Sequence, residues 1–106
     1  MDDVIMIGPI RFNPRQLEVS RDGKTVRLTP MEGWLLRFLI DHVNTVCSDN
    51  QIGSELWGVS DGGETGFIKA YIHHLRYKIE PDPMHPVYIL RVPGEGYKLV
   101  IPESER

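Results

Sequence analysis

The segment of residues 29–39 restricts the fold more than any other part of this sequence. Thr29 precedes Pro30, and Glu32 follows three positions after Thr29; this spacing is a capping box with proline at the first helical position. The apolar residues that follow recur at the spacing of one helix face: Met31, Trp34, Leu35, Phe38 and Leu39. The segment therefore predicts an amphipathic helix whose stripe, Trp34 included, lies on the core. Gly33 inside it costs about 1 kcal/mol relative to alanine, so we expect a tertiary reason for this glycine.

Two further helices are predicted downstream. Ser48 and Gln51 repeat the capping-box spacing, and a short helix should end at Gly58. A third helix should cover residues 65–80 and stop at Pro81. Its apolar stripe consists of Ile68, Ile72, Leu75 and Ile79. The polar, glycine-rich loop between these helices comprises Gly58, Val59, Ser60, Asp61, Gly62, Gly63 and Glu64.

Short β-type segments flank the helical region on both sides. Four of them come first, at residues 4–7, 10–12, 16–19 and 25–28. Asp22-Gly23 suits a two-residue hairpin turn, because both of its positions tolerate positive φ. Two more segments, at residues 88–92 and 97–100, are joined by Pro93-Gly94-Glu95-Gly96. The predicted fold is α+β: a four-stranded antiparallel sheet, three helices and a C-terminal hairpin.

Composition excludes several classes of protein. The chain has 106 residues, which suits one domain. Its longest apolar run is interrupted by Arg37, and its N-terminus is acidic, so neither a membrane span nor a secretory signal is expected. The single cysteine, Cys47, suits a reducing cytoplasm and a small buried hydrophobe. The net charge of -3 disfavours nucleic acid, but residues 66–101 hold five basic and three acidic residues.

The order of helices followed by a hairpin is that of a winged helix-turn-helix. Individual residues narrow this further: Leu28-Thr29-Pro30-Met31-Glu32, Leu35-Leu36, Leu56-Trp57-Gly58, Ile72 with Leu75-Arg76 and Lys78, and Gly94 with Gly96-Tyr97-Lys98-Leu99. Together they resemble the C-terminal effector domain of OmpR/PhoB-type response regulators, over nearly the whole chain. The resemblance implies one winged-helix domain over residues 1–106, with the sheet at 1–28, the three-helix core at 29–80 and the wing at 87–101.

The resemblance implies sequence-specific binding of double-stranded DNA. Stepping about 100° per residue from the third helix's apolar stripe turns Gly66, Lys69, Ala70, His73 and Tyr77 outward. The DNA-binding candidates on this helix and the wing are Lys69, Tyr71, His73, His74, Arg76, Tyr77, Lys78, Arg91, Tyr97 and Lys98. The resemblance further implies an upstream receiver domain in a two-component system, pairing as a homodimer on direct-repeat sites, and contact of the Gly58 to Glu64 loop with RNA polymerase. No cofactor and no membrane partner are expected.

Several positions depart from the family. Gly66 and Pro93 stand where arginines are common, Tyr71 replaces a frequent histidine, and His73-His74 replaces a basic pair. These changes remove strong phosphate donors. Arg91 either compensates in part or pairs with an acid. An alternative function, a winged-helix module that binds protein and has weakened or lost DNA binding, therefore stays open.

Neither a metal site nor an enzyme is expected. His73 and His74 diverge by about 100° on a helix, which opposes joint metal binding with His85 and Cys47. No histidine and acid surround Cys47 in a nucleophile motif. Trp57 is either a core residue or supports the backbone of Gly58 near a phosphate.

Overall fold

The computed structural model describes residues 4–58 and 65–102. In chain order the elements are β1 (Ile5–Ile7), β2 (Ile10–Asn13), β3 (Glu18–Arg21), β4 (Lys24–Arg27), α1 (Pro30–Asp41), α2 (Asp49–Trp57), α3 (Thr65–Ile79), β5 (Ile89–Val92) and β6 (Gly96–Leu99). The first four strands form an antiparallel meander in the order β1-β2-β3-β4, and β5 pairs with β6. This arrangement confirms the α+β architecture.

Turn chemistry determines the strands of the first sheet. Asp22 and Gly23 have φ values of 53° and 80°, which confirms the primed turn between β3 and β4. The predicted strand at 16–19 is wrong in its bounds, since β3 covers Glu18–Arg21. Leu17 adopts a left-handed φ of 56°, and the Asn13 side chain accepts hydrogen bonds from the amides of Arg15 and Gln16. The chain therefore turns where we expected it to be extended.

The capping box of α1 forms as predicted. The Thr29 hydroxyl accepts from the Glu32 amide at 3.2 Å, and the Glu32 carboxylate accepts from the Thr29 amide at 2.8 Å. The tertiary reason for Gly33 is also confirmed, because a Cβ at this position would collide with the side chain of Leu17. Helix α1 thus packs closely against the residue that precedes β3.

The predicted buried face of α1 is wrong at Trp34, whose side chain is 65% exposed. The buried residues of the helix are Glu32, Gly33, Leu35, Leu36 and Leu39. Trp34 follows Glu32 by two positions and so lies about 160° around the helix from it. Because α1 contacts both α2 and α3 as well as β6, its buried arc is centred on Glu32 and Leu39, opposite Trp34.

Two carboxylates tie the helices to the rest of the molecule. Glu80, directly after α3, is buried and accepts hydrogen bonds from the amides of Val87 and Ile89, each at 2.8 Å. It also accepts from the amide of Tyr88, so the start of β5 is fixed to the end of α3. Glu32 pairs with Lys78, which joins α1 to α3. No helix within residues 4–58 and 65–102 has the length and apolarity needed to cross a membrane.

Candidate nucleic-acid interface

Helix α3 presents one long polar face to solvent. Ile68, Ile72, Leu75 and Ile79 are buried, as predicted. The outward residues are also confirmed: Gly66, Lys69, Ala70, His73 and Tyr77 are all exposed. These residues form a continuous ridge along the helix, because they recur at three- and four-residue spacing.

On one side of this ridge, α3 and the β5–β6 hairpin enclose an open cavity of about 400 Å³. Its lining residues are Lys69, His73, Arg76, Arg91 and Tyr97, and we call it the cationic cleft. Two arginines, a lysine and a histidine thus converge from two separate elements. Such convergence suits an anion of the size of a phosphate group.

Tyr97 forms the floor of the cationic cleft. Its side chain is buried, and it lies directly opposite Arg91 in the β5–β6 register. The Arg91 guanidinium carbon lies 4.8 Å from the centre of the Tyr97 ring, and that of Arg76 lies 5.9 Å from it. Both cations therefore have favourable positions relative to the aromatic ring.

Arg76 also supports the hairpin directly. Its Nε and Nη2 atoms donate to the carbonyl oxygen of Ile89 at 3.1 and 3.0 Å. Nη1 takes part in neither of these hydrogen bonds. The structure thus gives Arg76 a positioning role between α3 and β5, which the sequence interpretation did not include.

Arg91 makes a second contact, with Asp49 at the start of α2. The Nη1 atom of Arg91 lies 3.3 Å from the Oδ1 atom of Asp49. Of the two alternatives for Arg91, pairing with an acid is therefore the one observed. No local pattern could reveal this pair, because the residues are 42 positions apart.

A close backbone contact brings Asp49 to Arg91. The Cys47 amide donates to the Tyr97 carbonyl at 2.7 Å, and the Tyr97 amide donates to the Cys47 carbonyl at 2.9 Å. Gly96 has a φ of 147°, and a Cβ there would collide with the Cys47 carbonyl oxygen. Glycine at this position therefore permits the contact. Cys47 is buried as predicted, and burial raises the pKa of its thiol.

Three other predicted site residues, Tyr77, His74 and Lys98, do not line the cleft. Tyr77 is exposed, and its ring meets that of His73 edge-on at 5.0 Å. His74 is exposed too, with its ring centre 6.1 Å from that of His73. Lys98 is half-buried on β6, opposite Leu90. As an immediate neighbour of Tyr97 on the strand, it lies on the opposite face of the hairpin.

Lys78 and Tyr71 do not join the cationic cleft. The Lys78 ammonium donates to Glu32 at 2.7 Å and to the carbonyl of Arg27 at 3.0 Å, so it faces α1 and β4. Tyr71 is half-buried, with its ring 5.8 Å from that of half-buried Trp57. Gly58 ends α2 with a left-handed φ of 73°. The rest of the predicted polymerase-contact loop, residues 59–64, lies outside the described residues.

One exposed residue of α3 was missed by the sequence interpretation. Phe67 is 64% exposed, and its ring centre lies 6.5 Å from that of Trp57. It occupies the side of the α3 ridge opposite Lys69 and Arg76. The sequence did contain a signal for Phe67, because it is an apolar residue outside the stripe of Ile68, Ile72, Leu75 and Ile79. An apolar side chain at this place can contact the methyl group of thymine in a major groove.

The element order, the exposed ridge of α3 and the adjoining hairpin define a winged helix-turn-helix protein. Solved structures share this architecture. The Klebsiella pneumoniae RstA DNA-binding domain, in complex with the RstA box, matches with a TM-score of 0.83 at 23% identity, covering 94% of this chain and 99% of that one. The DNA-binding domain of CpxR from E. coli matches with a TM-score of 0.75 at 28% identity, covering 92% and 95%.

The chain belongs to the family described as "Transcriptional regulatory protein, C terminal", which matches residues 23–99, the winged-helix effector domain of OmpR/PhoB-type regulators. Members of this family are DNA-binding domains of transcription regulation. Among its relatives is the sensory transduction protein RegX3 of Mycobacterium tuberculosis, 36% identical over 98 residues. That alignment covers 92% of this chain and 43% of RegX3, so the chain spans less than half of this relative's length.

Proposed function

We propose that this domain binds double-stranded DNA with the first turns of α3 in the major groove and the tip of the β5–β6 hairpin near the adjacent backbone. The cationic cleft is the observation that supports this most strongly. It lies between the ridge that would enter the groove and the hairpin that would act as the wing. A phosphate at the edge of the groove would therefore meet Lys69 and Arg91 together.

The proposed roles of the side chains follow from their positions. Lys69 and His73 lie on both the ridge and the cleft, so each can donate to a phosphate or to a base edge. Arg91 acts from the wing, whereas Arg76 positions the wing through Ile89. Tyr77 forms the C-terminal end of the ridge, and His74 lies on the flank that Phe67 also occupies. Lys78 and Tyr71 are not included in the proposed contact surface, because both are engaged elsewhere.

The first turns of α3 present few cations. Gly66 and Ala70 lie on the ridge, and Phe67 lies beside them. We propose that these residues allow the helix backbone to approach the bases closely and that Phe67 contacts thymine methyl groups. Sequence preference would then depend on apolar contacts as well as on hydrogen bonds.

Regulation by a longer protein is also proposed. RegX3 is more than twice as long as the matched region, which supports an upstream receiver domain acting in a two-component system. Pairing on direct-repeat sites and a contact of the 58–64 loop with RNA polymerase extend the same proposal. The protein would bind DNA rather than catalyse a reaction, and it would act in the cytoplasm on the bacterial chromosome.

The alternative function, a protein-binding module with weak DNA affinity, is favoured by two observations in the cleft. Arg91 is paired with Asp49, and two Arg76 donors are bound to Ile89. The net charge of -3 also repels DNA. These features predict modest rather than absent DNA affinity.

Fluorescence anisotropy with random-sequence duplex DNA tests the proposed function. We expect log affinity to fall with log salt at a slope of about -0.9 per phosphate contacted, with about three contacts. Lys69→Ala should weaken binding and make the slope shallower by about one contact. The matched control is Lys24→Ala, which removes an equal charge from the exposed β3–β4 turn. Undetectable binding at low salt and high micromolar protein would favour the protein-binding alternative.

A further inference from the structure

The ion pair between Arg91 and Asp49 lies on the surface that would face DNA. Arg91 lines the cationic cleft beside Lys69 and His73. Its side chain is 43% exposed, and that of Asp49 is 22% exposed. Arg91 is therefore accessible from the cleft, and its partner Asp49 is partly exposed to solvent.

Two contacts determine where the Arg91 guanidinium lies in the unbound domain. The Tyr97 ring supports it from below at 4.8 Å, while Asp49 attracts it from the side at 3.3 Å. The position of Asp49 depends in turn on the backbone contact of Cys47 with Tyr97. The backbone of the fold therefore holds Asp49 beside Arg91.

A carboxylate in this position opposes phosphate binding, because it occupies a donor of Arg91 that a phosphate would otherwise use. A partly exposed ion pair contributes little stability, so a phosphate is able to displace it. Any displacement nevertheless lowers the net gain in binding free energy.

On this basis, and resting on the proposed function, we infer that Asp49 is an intramolecular competitor for phosphate that lowers DNA affinity by holding Arg91. In the complex Arg91 exchanges the carboxylate of Asp49 for a DNA phosphate while its guanidinium stays over the Tyr97 ring. Asp49 is then an affinity-determining residue that makes no productive DNA contact.

Asp49→Asn tests this inference, because asparagine is close in size to aspartate and tolerated at the start of a helix. We expect random duplex DNA to bind about two- to fivefold more tightly, in line with the weak energy of exposed pairs. Asp41→Asn is the matched control. Asp41 pairs with Arg37, also at 3.3 Å, on α1, so this change alters net charge equally and should leave affinity within error.

A double-variant cycle shows whether Asp49 acts through Arg91. Arg91→Gln should weaken DNA binding, and adding Asp49→Asn to that variant should not restore any of the lost affinity. Tighter binding of the double variant than of Arg91→Gln alone would overturn the inference, since Asp49 would then act on DNA directly. Unchanged or weaker binding by Asp49→Asn would overturn it as well. Thermal unfolding checks that each variant is folded. If Asp49→Asn is unfolded, Asp49→Ser replaces it.

The outcomes separate this inference from the proposed function. If the unaltered domain binds DNA and Asp49→Asn binds equally well, only the inference fails. If neither the unaltered domain nor Asp49→Asn binds duplex DNA at low salt, the proposed function fails and the inference with it. Binding by Asp49→Asn alone would support both.

Discussion

The Nζ atom of Lys78 lies 2.7 Å from the Oε1 atom of Glu32, and this pair joins α3 to the first turn of α1. The Glu32 carboxylate is buried and also accepts from the amide of Thr29. It therefore completes the helix cap and the contact between helices at the same time. Burial by itself raises the pKa of Glu32, but the hydrogen bonds from Lys78 and Thr29 and the charge of Lys78 outweigh it, so the pKa lies below its ordinary value.

Lys78→Met is expected to destabilise the domain without removing a DNA contact. The change leaves a buried carboxylate without its cation, which costs about 1–3 kcal/mol. Urea unfolding measures the loss, and Lys24→Met on the exposed turn should change stability by less than about 0.5 kcal/mol. Lost DNA affinity at unchanged stability would return Lys78 to the DNA-binding surface.

Acid should weaken the folded state partly through Glu32. Because the pKa of Glu32 is lowered in the folded protein, its contribution is fully present above the ordinary value of 4.5 and is lost as pH falls through the folded value. Glu32→Gln keeps the capping-box hydrogen bonds but does not titrate. The stability difference between the two proteins, measured by urea unfolding from about pH 7 to 3, should therefore shrink toward low pH. A constant difference would contradict the pairing.

Local chemistry in the sequence predicted the parts of the fold that short-range contacts determine. The cap at Thr29 and the turn at Asp22-Gly23 depend only on neighbouring backbone, so they could be inferred. The face of α3 was inferred because one apolar stripe dominates that helix. The orientation of Trp34 could not be inferred, because α1 packs against several elements and its buried arc depends on where they lie.

The same distinction applies to the candidate site. Lys69 and His73 were identified from helix periodicity alone. The pairing of Arg91 with Asp49, the contact of Arg76 with Ile89 and that of Lys78 with Glu32 each join elements distant in sequence. Residue type indicated that these positions carry cations, but it could not show which of the cations already contact another group of the protein.

Gly96→Ala should disrupt the hairpin and the start of α2 together. The φ of 147° disfavours a side chain, and the new Cβ would collide with the Cys47 carbonyl oxygen. Strain of this kind costs about 1–3 kcal/mol, measurable by thermal unfolding. Gly66→Ala is the matched control, because no atom of the described residues lies within 4 Å of a Cβ built there; it should not destabilise. Equal melting temperatures for the two variants would contradict the close contact.

Arg76→Ala is expected to lower stability and DNA affinity together. The sequence interpretation placed its main effect on DNA, but two hydrogen bonds to the Ile89 carbonyl hold β5 against α3. Their loss should cost about 1–3 kcal/mol of folding free energy. Urea unfolding and anisotropy on one preparation measure both effects. Unchanged stability with a large loss of affinity would show that Arg76 contacts DNA instead.

DNA affinity should increase as pH is lowered from about 8 to 6, the range in which histidine ordinarily gains its charge. His73 lines the cationic cleft, and the ring centre of exposed His74 lies 6.1 Å from that of His73. A phosphate favours the protonated imidazole, so proton uptake should accompany binding, and affinity gained at low pH should be lost as pH rises. Replacing both with glutamine should flatten the dependence, measured by anisotropy at constant ionic strength.

His85→Gln is the control for this pH series. His85 is exposed and contacts Asp82 at 2.9 Å, on the segment that follows α3. Its replacement should leave the pH dependence of binding unchanged, provided circular dichroism shows a folded domain throughout. If the double glutamine variant keeps the slope of the unaltered domain, neither histidine contacts DNA. Recognition would then rest on Lys69, Arg91 and the apolar first turns of α3.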